Sequence, residues 1–505
     1  MPPEMLLPAS EIAPLVQWVN GGAMPAAVGC AIHESLDTPP AAGSSGSAGG
    51  GGQGGAGGSG GGSSGSAGQA GGAIAQGQGD WVRFGGDLGD QRSNPYETII
   101  TKQNVSMLKE AWTFRGASNT STPAVVDGVV YFATWDGKVH ALDAGTGTVH
   151  WTTTLPDLID SSPAVSDTQV FVSDDNGSVH ALERGKGAVQ WSKQVDAHPE
   201  AHLWSSPIYV ASAGLLLIGV ASGEEQTQMP YSFRGSVVAL DASTGAERWR
   251  FYTTTGDSAS GPGMAVWATV AVDETRKLAF VGTGNAYSGT AGKYADSLLA
   301  LHYDSGLLAW SKQFTANDVF SIFGSPGPDF DIGASANLFS IAGKDVVGIG
   351  IKSGAYAVLD RETGDMIWGT HVGGMGNMGG IIASPAYAEN QIFVASNTYP
   401  SPQSVTVAAL SADKGAILWK QTISGALAYG GVLYANGVVF VGATNAAMVA
   451  YDATTGKQLW SVQAPDAVAG GASIAHGILF VPWGYSWTLR EGVSGNGGLT
   501  AYTLK

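Results

Sequence analysis

The chain has 505 residues, a formal net charge of −17 and 13 % charged side chains, with 75 glycines, 15 tryptophans and one cysteine. That acidity excludes nucleic acid and anionic membrane surfaces as partners, since both are met by basic patches, and a lone Cys30 excludes an intrachain disulfide. No apolar run reaches the about 18 residues of a membrane span, whereas scarce charge with abundant Gly and Trp fits many short strands joined by tight turns.

Residues 1–38 begin Met1-Pro2-Pro3, and Ser10 ahead of Glu11 can start a short helix with Ile12, Leu15, Val16 and Val19 on one face. No Lys or Arg precedes Arg83, so the basic start of a signal peptide is not visible. Without it Cys30, although preceded by Ala27-Val28-Gly29, is not expected to be a lipid anchor. Residues 39–79 are almost wholly Gly, Ser, Ala and Gln, which cannot bury a core, so a flexible linker is expected there. The folded domain is expected over 80–505.

From Thr113 onward one unit recurs, ending in Ala-Leu-Asp-x-x-Thr-Gly-x-x-x-Trp or a variant of it at Trp151, Trp191, Trp249, Trp310, Trp368, Trp419 and Trp460. A repeat of about 40 to 60 residues, with strands, Gly turns and a Trp in each, reads as a β-propeller of four-stranded antiparallel blades. The Asp-x-x-Thr-Gly segment supplies the turn, and the Trp packs between neighbouring blades. Ile478–Val481 and Leu499–Tyr502 supply inner strands without a closing Trp, and Leu108–Trp112 supplies a closing strand without inner ones. Joined, they make an eighth blade that closes the ring. The fold class is therefore all-β, an eight-bladed propeller with Trp-docking repeats.

The longest units lie between Trp191 and Trp368, and insertions collect at propeller faces, where sites are built. Ser222-Gly-Glu224-Glu225 follows the apolar run GLLLIGVA and places two carboxylates in a loop, a pattern that is often merely solvated. Next, 264–288 reads as a hairpin with a polar turn at Asp273–Arg276, Trp267 opening its first strand and Asn285 closing a Gly-Thr-Gly-Asn turn. A lone Trp there is ordinarily core. Asp329-Phe330-Asp331-Ile332-Gly333-Ala334-Ser335 follows a Gly/Pro-rich loop, and Lys352 ends a strand where a lysine is ordinarily on the surface.

The repeat, and the opening Asp80-Trp81-Val-Arg-Phe-Gly-Gly-Asp-Leu-Gly-Asp-Gln-Arg92-Ser93-Asn94, resemble the pyrroloquinoline quinone (PQQ) propellers of quinoprotein alcohol dehydrogenases. Within that family the similarity is nearest to polyvinyl-alcohol-dehydrogenase-like proteins, through Ser-x-Glu-Glu, Phe-Arg-Gly-Ser-Val-Val-Ala-Leu-Asp and Asp-Phe-Asp. The resemblance implies roles for the residues already singled out. Trp267 would support the quinone, at the family's interval of eighteen residues from Asn285. Glu225 (with Glu224 in reserve), Asn285 and Asp331 would ligate calcium, whose hard-cation chemistry suits oxygen donors. Asp331 would also be the general base and Lys352 would stabilise the reduced quinone oxygen, while Ser222 and Asp329 would support the cofactor. Lanthanide-using relatives carry a further Asp two places beyond the base; Gly333 stands there in this chain, which favours calcium.

The resemblance also implies an alcohol substrate, primary or secondary and including polymers, an electron-accepting cytochrome c, and a periplasmic or extracellular location. Met1-Pro2-Pro3 and Trp18–Ala23 are similar to the end of a c-type cytochrome domain, but a single cysteine cannot supply Cys-x-x-Cys-His, so no covalent haem is expected in this chain. Three departures from the family pattern stand out. Tyr231-Ser232-Phe233 falls where a vicinal Cys-Cys is expected, Asp160-Ser161-Ser162 where an Arg clamps a PQQ carboxylate, and Ala383-Ser384 where a Trp-Gly pair follows Gly379-Gly380-Ile381. Because noncatalytic scaffold propellers of the bacterial envelope share the repeat, a protein-binding scaffold is the alternative function.

Overall fold

The computed structural model describes residues 77–255, 259–485 and 496–504. The expected N-terminal helix, and all of the 39–79 linker except 77–79, lie outside the described residues. Eight blades, each built on four antiparallel strands, follow in chain order. The first seven span 124–154, 164–194, 201–252, 271–313, 337–371, 386–424 and 433–463. The eighth combines Ser473–Ala475, Ile478–Trp483 and Gly497–Thr503 with Lys109–Gly116, so the ring closes with an early strand hydrogen-bonded to a late one, from Lys109 opposite Thr503 to Gly116 opposite Gly497.

The repeat motif explains how the blades adhere. In each closing strand the indole N–H donates to a carbonyl in the next blade's Asp-x-x-Thr-Gly turn: Trp112 to Ala144, Trp151 to Arg184, Trp191 to Ala242, Trp249 to Tyr303, Trp310 to Arg361, Trp368 to Ala412 and Trp419 to Ala453, at 2.8–3.1 Å. Trp460 instead meets the edge of Tyr502 in the closing blade, with ring centroids 5.5 Å apart. The glycine of that turn lies flat against the same indole. At Gly364, φ is +76° and an added Cβ would stand 2.7 Å from Trp310 Cε3. Glycine is therefore required twice over, for its left-handed backbone and for contact with the ring.

Two inner rings tie the blades at the axis. The segment 81–94 runs around the channel and bonds the innermost strand of every blade in turn. Trp81 pairs with Val125, and the carbonyls of Val82, Leu88, Gly89, Gln91 and Arg92 accept from the amides of Val165, Val272, Leu338, Tyr387 and Tyr434. Arg83 and Asn94 side chains reach the carbonyls of Tyr209 and Ile474. This belt satisfies strand edges that would otherwise be exposed in the channel. Nearer the opposite face, hydroxyls link blade to blade: the amides of Thr122, Ser162, Ser206, Thr269 and Ser335 donate to Oγ of Ser162, Ser206, Thr269 (Oγ1), Ser335 and Ser384, at 2.9–3.1 Å. Blades seven and eight carry Gly431 and Gly471 near the axis, and the buried Arg92 guanidinium fills the space: a Cβ on these residues would come within 2.1 and 2.6 Å of it.

The Trp–Gly contact predicts a measurable asymmetry. Gly364→Ala should destabilise the propeller by about 1–3 kcal/mol. Gly343→Ala, at φ +84° but with nothing within 4 Å of the added Cβ, should lose only the backbone share of about 1 kcal/mol. Urea unfolding followed by tryptophan fluorescence measures the difference.

Candidate active site

One end of the channel opens into a cavity of about 310 Å³, within the range typical of small-molecule sites. Its walls are the segments leading into the innermost strands and the loops leaving the second strands, which the antiparallel blade puts at the same end. Ser222, Glu225, Trp267, Asn285, Asp331 and Lys352 all line it. Glu224 does not. It is buried and accepts the amides of Ser232 and Phe233 at 2.8 Å, so it anchors the loop while Glu225, next to it on the short 3-10 turn Glu224–Gln226, faces the cavity. Tyr231-Ser232-Phe233 is accordingly no wall of the cavity; two of its amides are occupied with Glu224.

Trp267 lies ahead of its strand, Ala271–Asp273, and not within it as the hairpin pattern suggested. It is nevertheless fixed, because Gly284 N–H donates to Ala265 O (2.9 Å) and Met264 N–H to Asn285 O (2.7 Å), joining the two ends of the hairpin. Gly333 presses on its edge, and a Cβ there would fall 1.7 Å from Trp267 Cη2. No side chain, an additional carboxylate included, fits at 333 without displacing the indole. Asn285 Nδ2 donates to the carbonyls of Ala286 and Phe320, both at 2.8 Å, which turns the amide so that its oxygen is left to the cavity. The Asn285 amide N–H donates to Asp331 Oδ1 (2.9 Å), and Gly284 leaves room for that carboxylate, since a Cβ would stand 2.9 Å from it.

Lys352 is buried and reaches both Asp329 Oδ1 and Asp331 Oδ2, the latter at 3.3 Å. Burial works against its charge, but Asp329, Asp331 and Glu225 more than offset this and hold it firmly protonated. Asp329, buried behind Asp331 with φ +57°, is raised well above the ordinary carboxylate range by burial, with Lys352 opposing and Asp331 and Glu225 adding to the rise. Burial, helped by Asp331 and opposed by Lys352, lifts Glu225 to about 7. The arrangement supplies a cation beside a cluster of carboxylates, an amide oxygen and a flat aromatic ring on one side of the cavity.

The rest of the wall carries aromatic groups that no sequence signal singled out: Phe84 from the belt, Trp135, Trp204, Tyr429 and Tyr485. Trp135 and Tyr429 both pack against Tyr485, at 5.8 and 5.6 Å between centroids. Asp160 and Ser384, two of the three departures from the family pattern, line the cavity as well. The only hint in the sequence was position, since each precedes or follows a strand at the same end of its blade.

The Glu225 shift has a testable sign. A carboxyl with a raised folded-state value binds more protons folded than unfolded between about 4.5 and about 7. The Glu225 contribution to the stability of the cofactor-free protein should therefore fall across that window as pH rises and level off above it. Glu225→Gln should flatten that slope, as read from denaturant midpoints at stepped pH.

Comparison with known proteins agrees with this fold. A family model described as the outer membrane protein assembly factor BamB matches 101–260 and 352–484, more than half of the chain. A second, described as the glucose/ethanol/alcohol dehydrogenase β-propeller domain, matches 184–375, the stretch that holds every site residue from Ser222 to Lys352. Polyvinylalcohol dehydrogenase of a Pseudomonas species is 28 % identical over 471 residues, covering 80 % of this chain and 73 % of its own length. The enzyme of the same name from Sphingopyxis is 28 % identical over 459 residues, covering 77 % and 70 %. The crystal structure of quinohemoprotein alcohol dehydrogenase from Comamonas testosteroni superposes with a TM-score of 0.71 at 20 % identity, over 84 % of this chain and 80 % of that one. With an eight-bladed Trp-docked propeller and the dehydrogenase-type stretch lining its cavity, the chain belongs to the PQQ-dependent alcohol dehydrogenase family.

Proposed function

We propose that the protein binds PQQ and calcium in this cavity, oxidises primary or secondary alcohols, polymer chains among them, and passes the electrons to a c-type cytochrome in the periplasm. The observation that carries the proposal is the convergence of Glu225, Trp267, Asn285, Asp331 and Lys352 on one cavity. The donor set suits the groups. Two carboxylates and an amide oxygen are hard ligands for calcium, which takes 6–8 oxygens, so positions remain for oxygens of the cofactor and water. Glu225, Asn285 and Asp331 would hold the metal, and Trp267 would support the ring. Bound together, the two groups supply a two-electron acceptor whose carbonyl the metal polarises.

The chain's own residues then have separate tasks. Asp331 takes the proton of the substrate hydroxyl, held for this by the Asn285 amide and by Lys352. Lys352 presents a fixed positive charge where negative charge develops, and it needs no reorganisation to do so, being already locked between carboxylates. The aromatic wall excludes water and accepts the apolar part of an alcohol. The likeness of 1–23 to the end of a cytochrome domain supports a c-type cytochrome as electron acceptor, and the activity that names the Pseudomonas and Sphingopyxis relatives supports a polymeric alcohol as substrate. Cofactor carboxylates must be met without the family's arginine, because Asp160 stands in that region.

A noncatalytic scaffold draws support from the assembly-factor model, but that match stops at 260 and resumes at 352, stepping over Trp267, Asn285, Asp329 and Asp331. Reconstitution of the purified protein with PQQ and calcium decides between the two readings. Quinone absorbance should be retained after desalting, with dye reduction on addition of primary or secondary alcohols. Asp331→Asn should keep the absorbance and lower kcat by roughly 10²–10⁴-fold. Neither absorbance nor dye reduction in the wild-type protein would sink the enzyme reading and leave the scaffold.

A further inference from the structure

Behind the cavity lies a carboxyl group with no role in the chemistry above. Asp296 is fully buried, at φ +46°, and no N–H or hydroxyl reaches either of its side-chain oxygens. Its backbone is satisfied, with the amide donating to Gly284 O (3.1 Å) and the carbonyl accepting from Phe314 (2.9 Å), so the side chain is held in place rather than free to turn toward water. An ionised carboxylate in such a setting is strongly disfavoured. The side chain set against it is another buried carboxyl, that of Asp318. Two carboxylates cannot bond one another, but a carboxylic acid and a carboxylate form a strong charge-assisted hydrogen bond.

The other partners decide which of the two holds the proton. Asp318 accepts the amide N–H of Phe330 at 2.8 Å and that of Asp329 at 3.4 Å, contacts that favour a charged acceptor. Asp296 has no such donors. The charged groups facing it are Asp318, Asp331 and Asp329, which disfavour its ionisation, and Lys352, which opposes them. Burial raises both groups, Asp318 only to about 6 and Asp296 well beyond the ordinary range.

We infer that Asp296 is a neutral carboxylic acid donating its proton to the Asp318 carboxylate, and that the pair is a positioning device for residues 329–331. Asp318 grips two consecutive amides of that segment, immediately ahead of Asp331. The segment needs the grip, because Asp329 sits in the left-handed region that side chains rarely adopt. Asp296 keeps Asp318 charged and aimed, and its neutrality spares the cluster another buried negative charge beside Asp331. A displacement of Asp331 by about 1 Å is enough to cost roughly 10²-fold in rate.

The proton assignment belongs to the cofactor-free protein, whereas its effect on turnover rests on the proposed dehydrogenase reading, and the experiment separates them. Infrared difference spectra of the cofactor-free protein at neutral pH should show one protonated-carboxyl C=O band lost in Asp296→Asn and kept in Asp318→Asn. Asp296→Asn still donates to Asp318, so it should hold the unfolding midpoint and restore the turnover that Asp296→Ala loses. Asp318→Asn turns an amide toward the N–H groups of Asp329 and Phe330. It should lower the midpoint, to the point of not folding, and where it folds it should also lower kcat roughly 10²-fold with quinone absorbance intact. An unchanged band in Asp296→Asn, or equal midpoints for the two asparagine variants, overturns the assignment. If wild-type protein reduces no dye while the infrared pattern holds, the dehydrogenase reading fails and the carboxyl pair stands.

Discussion

The contact between an indole and a glycine repeats around this molecule, and the cavity depends on it. A propeller blade has two faces to bury and no partner of its own, so the ring exists only if each blade adheres to the next. Here the closing-strand Trp supplies area and one N–H, and the neighbouring turn supplies a carbonyl and a flat backbone at which any side chain would collide. Each indole hydrogen bond contributes about 1 kcal/mol, and the buried ring contributes more through its area. Because the contact recurs from blade to blade, the inner ends of the blades come to a common radius, and loops from all eight meet at one opening.

Charge is distributed unevenly around that opening. Glu225, Asn285, Asp331 and Lys352, from blades three to five, form one side, and Trp135, Tyr429 and Tyr485, from blades one, seven and eight, form much of the other. Carboxylates gathered in a dry site repel one another, and the fold answers in three ways. Lys352 lies between Asp329 and Asp331, backbone amides from Asn285 and Phe330 point at carboxylate oxygens, and Glu225 and Asp329 are pushed toward the neutral form. A divalent cation placed among these groups would remove much of that repulsion.

The fold was legible because it is periodic. Seven Trp-terminated units and two half-blades in the sequence correspond to the eight blades, since each unit needs the same turn and the same indole to stick. The choice of Glu225 over Glu224 was only half legible: both are acidic and adjacent, and what separates them is that the amides of Ser232 and Phe233 fold back onto one of the two. Trp267 reads from the sequence as opening its strand, which in the structure begins only at Ala271, because apolar alternation cannot distinguish a strand from the straight segment leading into it. The belt 81–94 was visible as a family-like opening, but nothing in its composition shows that it bonds all eight innermost strands. Asp296 and Asp318 were not legible at all. Each is a single acid in a loop of unremarkable sequence, and their meaning comes only from being buried against each other.

Gly333 shows how a missing side chain can carry information that a present one does not. In the sequence its significance rests on comparison, as a place where some relatives carry an additional acid. In the structure the reason is steric, because the indole of Trp267 already occupies the space that any Cβ would need. The two features are therefore linked. As long as the Trp lies against 333, no carboxylate can be added there beside Glu225 and Asp331 unless the indole shifts. Packing therefore sets a limit on charge: the indole at Trp267 restricts how much negative charge this side of the cavity can gather.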